Sequence, residues 1–137
     1  MPRLDKHISS HLGVPRKSVR LLLAQQSITV NGAPARSIDQ RISPFCDVTV
    51  DGTALPSSDA HYLMLNKPKG ILSATSDPKH PTVIDLLDEP FKSALHIVGR
   101  LDILSTGLVL LTNDGQWSRA LSLPDNKLPK HYRVTTE

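Results

Sequence analysis

The residues best suited to chemistry lie in one polar segment, Gly99–Gly107, between two apolar runs. A guanidinium, Arg100, and a carboxylate, Asp102, stand two positions apart in it. If this stretch is extended, both side chains share one face while Leu101 points to the core. A polar loop held at both ends by a scaffold is a common place for catalysis. The alternative is a surface ion pair beside a hairpin, and spacing alone favours that alternative.

Two apolar, β-prone runs, Leu95–Val98 and Leu108–Leu111, are predicted as buried strands that hold this segment. The glycines at its two ends allow sharp turns or the close approach of another backbone. Other elements are predicted nearby: a strand over Tyr62–Leu65, a short helix over Val83–Leu87 capped by Thr82, and a helix over Gln116–Leu121.

The first fifty residues or so predict a separate small α+β unit. Leu4, Ile8 and Leu12 recur at helical spacing, and Gly13 is placed to end that helix. Pro15 suits the first turn of a second helix. The predicted inner face of that helix comprises Val19, Leu22, Leu23 and Gln26, and the strands Ile28–Val30 and Val48–Val50 run into the turns Asn31-Gly32 and Asp51-Gly52.

This first unit is more basic than the net charge of +3 for the whole chain suggests. No carboxylate occurs between Asp5 and Asp39. A segment of one sign is typical of a surface that binds phosphates, although any single residue in it also fits a solvated face. The cations in this interval are Lys6, Arg16, Lys17, Arg20 and Arg36.

Composition excludes several other classes of protein. No apolar run approaches the length of a membrane span, and the N-terminus lacks the apolar segment of a secretion signal. One cysteine, Cys46, leaves no internal disulfide and fits a reducing compartment, so we expect a cytoplasmic protein without membrane contact. No nucleotide-binding glycine loop, cysteine–histidine metal cluster or serine-hydrolase elbow is present.

The opening of the chain resembles the small RNA-binding domain first recognised in a ribosomal small-subunit protein. The matching text is Arg3–Lys6, the basic start of the second helix, and Ile28–Gly32. The family usually has a glycine just before that strand, where this chain has Gln26-Ser27. By position, the resemblance implies that the RNA backbone is contacted by Arg3, Lys6, Arg16, Lys17 and Arg20.

Four further stretches, in this order, resemble the RsuA/RluB-type pseudouridine synthases of ribosomal RNA, and most closely the branch acting on small-subunit rRNA. They are Leu65–Gly70, Asp77–Val83, Gly99–Asp102 with Ser105–Leu108, and Lys130–Tyr132. The family detaches a uracil from its ribose within RNA, turns it and reattaches it through carbon. The resemblance therefore implies a partner in ribosomal RNA and no metal or organic cofactor.

The resemblance also assigns roles to individual residues. Asp102 matches the catalytic aspartate, which acts at the anomeric carbon either as a nucleophile or by stabilising positive charge. Arg100 matches a residue that fills the space left by the flipped base, and Tyr132 matches the tyrosine expected to stack on that base. Independently of the resemblance, the charge of Lys67 and Lys69 in the turn after the strand Tyr62–Leu65 suggests contacts to RNA phosphate, and the alternative is an ordinary basic turn.

We therefore predict an α+β protein in which a two-helix, short-strand RNA-binding domain precedes part of a mixed or antiparallel β-sheet catalytic domain with flanking helices. The predicted boundaries are residues 1–56 for the first domain, 57–60 for a linker and 61–137 for the second. The family's catalytic domain continues past the tyrosine, whereas Arg133–Glu137 is predicted as an unfinished strand. We expect a monomer that is a fragment with little or no activity.

Two other functions remain open on the sequence. The first is a non-catalytic RNA-binding or ribosome assembly protein that uses only the basic domain. The second is a hydrolase in which Asp102 and Asp114 form a carboxylate pair, although Asp114 stands in a turn where it suits a helix cap.

Overall fold

A computed structural model describes all residues, Met1–Glu137, and divides the chain into two compact units, Met1–Asp59 and Ala60–Glu137. Both units combine helices with antiparallel strands, so the predicted α+β class is confirmed. None of the helices combines the length and the apolar character that crossing a membrane requires.

The first unit consists of two helices and a small four-stranded sheet. The helices are α1 (Leu4–Leu12) and α2 (Arg16–Ala24). The strands lie in the antiparallel order β2-β1-β3-β4. They are β1 (Ile28–Val30), β2 (Ala33–Pro34), β3 (Val48–Val50) and β4 (Thr53–Ala54). The buried core consists of Leu4, Ile8, Val19, Ile28, Val30, Ile42, Val48 and Val50.

Both predicted tight turns of this unit are present. Asn31 and Gly32 have φ of 50° and 80°, and Asp51 and Gly52 have φ of 51° and 78°. Two successive positive φ values give a turn whose twist matches that of the flanking strands, which explains the Asn-Gly and Asp-Gly pairs.

The second unit is built on a three-stranded antiparallel sheet of order β5-β7-β6. Its strands are β5 (Tyr62–Lys67), β6 (His96–Val98) and β7 (Gly107–Thr112), and β7 leads into helix α3 (Gly115–Ser122). Short 3-10 turns occupy Ile84–Leu86, Lys92–Ala94 and Pro124–Asn126. The buried core consists of Val83, Ile84, Leu87, Leu95, Val109 and Leu111.

Three local predictions are wrong. Gln26 is exposed at φ 57°, beyond the end of α2, because the chain there turns toward β1. The helix predicted after Thr82 is a single 3-10 turn, and the backbone N–H of Thr82 donates to the Asp85 carboxylate instead of its hydroxyl capping that turn. Arg133–Glu137 forms no strand, since no neighbouring strand pairs with its backbone groups.

Candidate active site

The polar segment predicted to carry chemistry is the loop that joins β6 to β7. Gly99 and Gly107 at its ends have φ of 77° and 135°, values that favour glycine. The Leu101 side chain packs against the core, while Arg100 and Asp102 are exposed, as the alternation predicts. The N–H of Ser105 donates to the Asp102 carbonyl at 2.9 Å, which closes a turn directly after the carboxylate.

Ser73 holds this loop on the N-terminal side of Asp102. Its hydroxyl donates to the Leu101 carbonyl at 2.9 Å and accepts from the Leu101 N–H at 3.2 Å. Only 2% of Ser73 is exposed. The preceding residue, Leu72, is itself fixed, because its N–H donates to Pro81 and its carbonyl accepts from Val83.

Lys67 holds the loop on the other side of Asp102. Its ammonium group donates to the carbonyl of Ile103 at 3.2 Å, and to those of Pro68 and Ile71 at 3.0 and 2.7 Å. The N–H of Gly70 donates to the same Ile103 carbonyl at 2.8 Å. The side chain of Lys67 is fully buried at 0% exposure, so the prediction that it contacts RNA phosphate is wrong.

Asp102 therefore lies between two fixed residues with its own side chain exposed. The ion pairs of the structure are Arg3–Asp5 and Asp77–His80, so Asp102 and Arg100 do not pair with each other. The surface ion pair that spacing alone favours is absent. A carboxylate without a cation partner keeps its lone pairs available to an incoming ligand.

A groove of about 1170 Å³ opens beside this loop. Arg100 and Tyr132 both line it, and 70% of Tyr132 is exposed. Asp102 is not itself among the lining residues; it lies on the same loop between two that are, Leu101 and Leu104. The structure thus brings Arg100 and Tyr132 to one groove, with Asp102 next to it.

The groove is also lined by two cations, Lys130 and Arg133, that the sequence analysis does not predict as site residues. The Lys130 ammonium lies 3.9 Å from the point where a Cβ on Gly99 would be. Neither side chain has an ion-pair partner, so with Arg100 they give the groove three unpaired positive charges. The available signal was their position on either side of His131-Tyr132 in the sequence.

The predicted phosphate-binding cations of the first unit divide into two groups. Lys6, Arg16, Lys17 and Arg20 are exposed, and the last three share the outer face of α2, a helix whose buried residue is Val19. Arg3 differs, because its guanidinium makes two hydrogen bonds, at 3.2 and 2.9 Å, to the carboxylate of Asp5. Asp5 is only 2% exposed, so the charge of Arg3 is largely neutralised within the protein.

Asp114 has a structural role, as its position in the turn predicts. One carboxylate oxygen accepts from the N–H groups of Gln116 and Trp117 at the start of α3, and the other accepts from the Tyr62 hydroxyl at 2.6 Å. The Tyr62 hydrogen bond chiefly, and the two backbone N–H groups after it, hold the pKa of Asp114 below its usual value. With both oxygens engaged, Asp114 is poorly suited to form a hydrolytic pair with Asp102.

Comparison with known proteins gives a consistent result. The sequence profile described as RNA pseudouridylate synthase matches residues 61–137. The chain is 46% identical to the ribosomal small subunit pseudouridine synthase A of Yersinia pestis over 98% of this chain and 58% of that protein. For the protein of the same name from Escherichia coli K12, the identity is 45% over 98% of this chain and 59% of the relative.

A solved structure described as a pseudouridylate synthase matches the chain with 35% sequence identity and a TM-score of 0.47. The match covers 92% of this chain and 54% of the other. The chain spans somewhat less than three fifths of the length of the curated relatives it matches.

Proposed function

The chain belongs to the RNA pseudouridylate synthase family. We propose that the protein is an enzyme that isomerises a uridine to pseudouridine in ribosomal RNA. We further propose that the substrate is small-subunit rRNA, because the curated relatives are named for that subunit. The observation that carries the proposal is an exposed, unpaired Asp102 on a doubly fixed loop beside a basic groove.

The reaction needs few protein groups. The bond between the uracil nitrogen and the ribose breaks, the base turns, and a carbon of the same base bonds to the same sugar carbon. That base carbon then loses its proton, and the freed nitrogen gains one. Asp102 acts at that sugar carbon, where a carboxylate stabilises developing positive charge or forms a transient covalent bond. A glycosidase uses a second carboxylate to activate water, whereas here water is a competitor and one carboxylate suffices.

Arg100 and Tyr132 act on the flipped nucleotide and its surroundings. A uridine must leave its stack to reach Asp102, at a cost of about a few kcal/mol. The planar guanidinium of Arg100 fills the vacated space and stacks on neighbouring bases. The Tyr132 ring, which lines the same groove, stacks on the uracil while it turns.

The cations of the two units divide the task of RNA binding in this proposal. Lys6, Arg16, Lys17 and Arg20 contact phosphates away from the target, since they are exposed and have no carboxylate partner. Lys130 and Arg133 contact the backbone next to the flipped uridine.

A second candidate is a non-catalytic RNA-binding or ribosome assembly protein. The exposed basic face of α2 favours it, because that face requires nothing of Asp102. The two candidates differ in whether an isomerase activity exists that depends on Asp102.

The deciding experiment maps pseudouridine in rRNA from cells that lack the gene and from cells complemented with the full-length gene product. We expect one uridine to lose its modification in the deletion and to regain it with the wild-type gene but not with Asp102→Asn. Asp88→Asn, which alters an exposed carboxylate of the same unit, is the matched control and should complement. The enzymatic proposal fails if the modification pattern is unchanged by the deletion, or if Asp102→Asn complements fully while RNA binding is retained.

A further inference from the structure

The buried hydroxyl of Ser73 makes two hydrogen bonds to a residue that is distant in the sequence. A buried hydroxyl costs free energy unless it is hydrogen-bonded. Ser73 is 2% exposed, and both of its hydrogen bonds go to Leu101, 28 residues further along the chain. The side chain therefore connects its own segment to the loop that carries Asp102.

Both peptide groups next to Leu101 are fixed by this one hydroxyl. The N–H that it accepts from belongs to the peptide between Arg100 and Leu101, and the carbonyl that it donates to belongs to the peptide between Leu101 and Asp102. A peptide group is planar and includes the Cα atom of the following residue. Ser73 thus restrains the position of the Asp102 Cα atom and the orientation of the peptide plane before it.

The peptide group after Asp102 is fixed by a different contact. The Asp102 carbonyl accepts the N–H of Ser105 at 2.9 Å. With the planes before and after it both held, Asp102 keeps only the rotation of its own side chain. This arrangement suits a reaction in which a carboxylate must meet one carbon atom within a few tenths of an ångström.

We propose that Ser73 is a positioning residue for Asp102 in the isomerisation reaction. The inference rests on the proposed function and adds to it a residue that does not touch the substrate. Ser73 lines neither the groove nor the outer face of α2, so it makes no contact with RNA in this proposal, and its loss should affect RNA affinity far less than kcat.

The test compares Ser73→Ala with wild type in the full-length protein, using a short rRNA fragment that contains the target uridine. We expect kcat to fall roughly 10- to 100-fold, the loss that follows a displacement of about 1 Å. KM and the Kd for RNA should stay near the wild-type values. Ser73→Thr keeps the hydroxyl and should recover most of kcat, and Ser93→Ala, which removes an exposed hydroxyl of the same unit, should match wild type.

A second measurement does not need catalysis. Hydrogen exchange of the Leu101 amide should be faster in Ser73→Ala than in wild type or Ser93→Ala, because the acceptor of that N–H is lost. Assays at a temperature well below the melting point of each variant separate positioning from unfolding.

The inference is overturned if folded Ser73→Ala keeps the wild-type kcat, if Ser73→Thr loses as much as Ser73→Ala, or if Leu101 exchange is unchanged. Failure of the proposed function is distinguishable, since wild-type protein would then form no pseudouridine in this RNA.

Discussion

The ammonium group of Lys67 donates a hydrogen bond to the carbonyl oxygen of Ile103, the residue directly after Asp102, across a sequence separation of 36 residues. All three acceptors of Lys67 are backbone carbonyls, and none is a carboxylate. The side chain is fully buried, so a cation that the sequence pattern assigned to RNA instead fixes the loop of the candidate active site.

Replacing this buried cation should destabilise the protein. Lys67→Met fills a similar volume but leaves three carbonyl groups with fewer donors, and each lost partner of a buried polar group costs about 1–3 kcal/mol. Because Ile103 keeps the N–H of Gly70 and Pro68 is an exposed residue, the loss falls mainly on the carbonyl of Ile71. We expect the free energy of unfolding, measured by chemical denaturation, to decrease by about 1–3 kcal/mol.

Lys69→Met is the matched control for that change. Lys69 is exposed two residues further along, and its replacement should alter stability by less than about 0.5 kcal/mol. Equal stability of the two variants would contradict the structural role of Lys67. The dependence of RNA binding on salt should be the same for Lys67→Met and wild type, because the ammonium group does not reach a phosphate.

The outer face of α2 should account for part of the salt dependence of RNA binding. Changing Arg16, Lys17 and Arg20 together to Gln removes three exposed cations, each of which releases counterions when it meets a phosphate. The slope of log K against log salt should become shallower by about 2 to 3. The measurement is RNA affinity over a series of KCl concentrations.

A charge-matched variant tests whether location matters. Changing Lys79, Lys92 and Arg119 to Gln removes the same net charge from exposed positions of the second unit outside the groove. Its slope should stay close to that of wild type. If both triple variants change the slope equally, α2 is not a specific contact surface.

The groove cations should act closer to the reaction. Changing Lys130 and Arg133 to Gln should weaken binding of rRNA and make the salt slope shallower by about 1.5, because two phosphate contacts are lost. Lys127→Gln changes an exposed cation of the same tail that does not line the groove, and it should bind RNA as wild type does. Indistinguishable affinities of all these proteins would remove the groove from the RNA interface.

Asp114 should give a stability contribution that depends on pH. Its folded-state pKa is lowered, chiefly by the Tyr62 hydrogen bond, so the ionised form stabilises the fold above the unfolded-state pKa of about 3.9. That contribution disappears as the pH falls through the lower folded-state value. Asp114→Ala should cost about 1 kcal/mol at pH 7, where it removes the cap of α3.

The test is chemical denaturation of wild type and Asp114→Ala at neutral pH and near pH 2. The difference between their free energies of unfolding should be smaller at the acid pH. Asp114→Asn keeps an acceptor at the cap and should lose less at neutral pH, and Asp88→Ala, at an exposed position, should show no comparable pH dependence. A difference that stays constant with pH would contradict the assignment.

Short-range patterns in the amino-acid sequence are sufficient to predict several features of this protein. Helical spacing of Leu4 and Ile8 located α1, Asn31-Gly32 located a hairpin, and the apolar runs around Gly99–Gly107 located the strands that hold the polar loop. The resemblance of four ordered stretches also identified the family correctly. These signals are local or depend only on the order of residues along the chain, so they can be recognised without a structure. The roles of Asp102, Arg100 and Tyr132 stay predictions.

The roles of individual polar side chains depend on contacts between segments that are distant in the sequence. Lys67 and Ser73 reach Ile103 and Leu101 across 36 and 28 residues, and neither partner can be inferred from the neighbouring sequence. Arg3 illustrates the same limit, since its charge belongs to an RNA-binding pattern but its guanidinium is engaged by Asp5. Burial and long-range hydrogen bonding determine whether a cation meets a ligand or supports the fold, and both arise only when distant segments pack together.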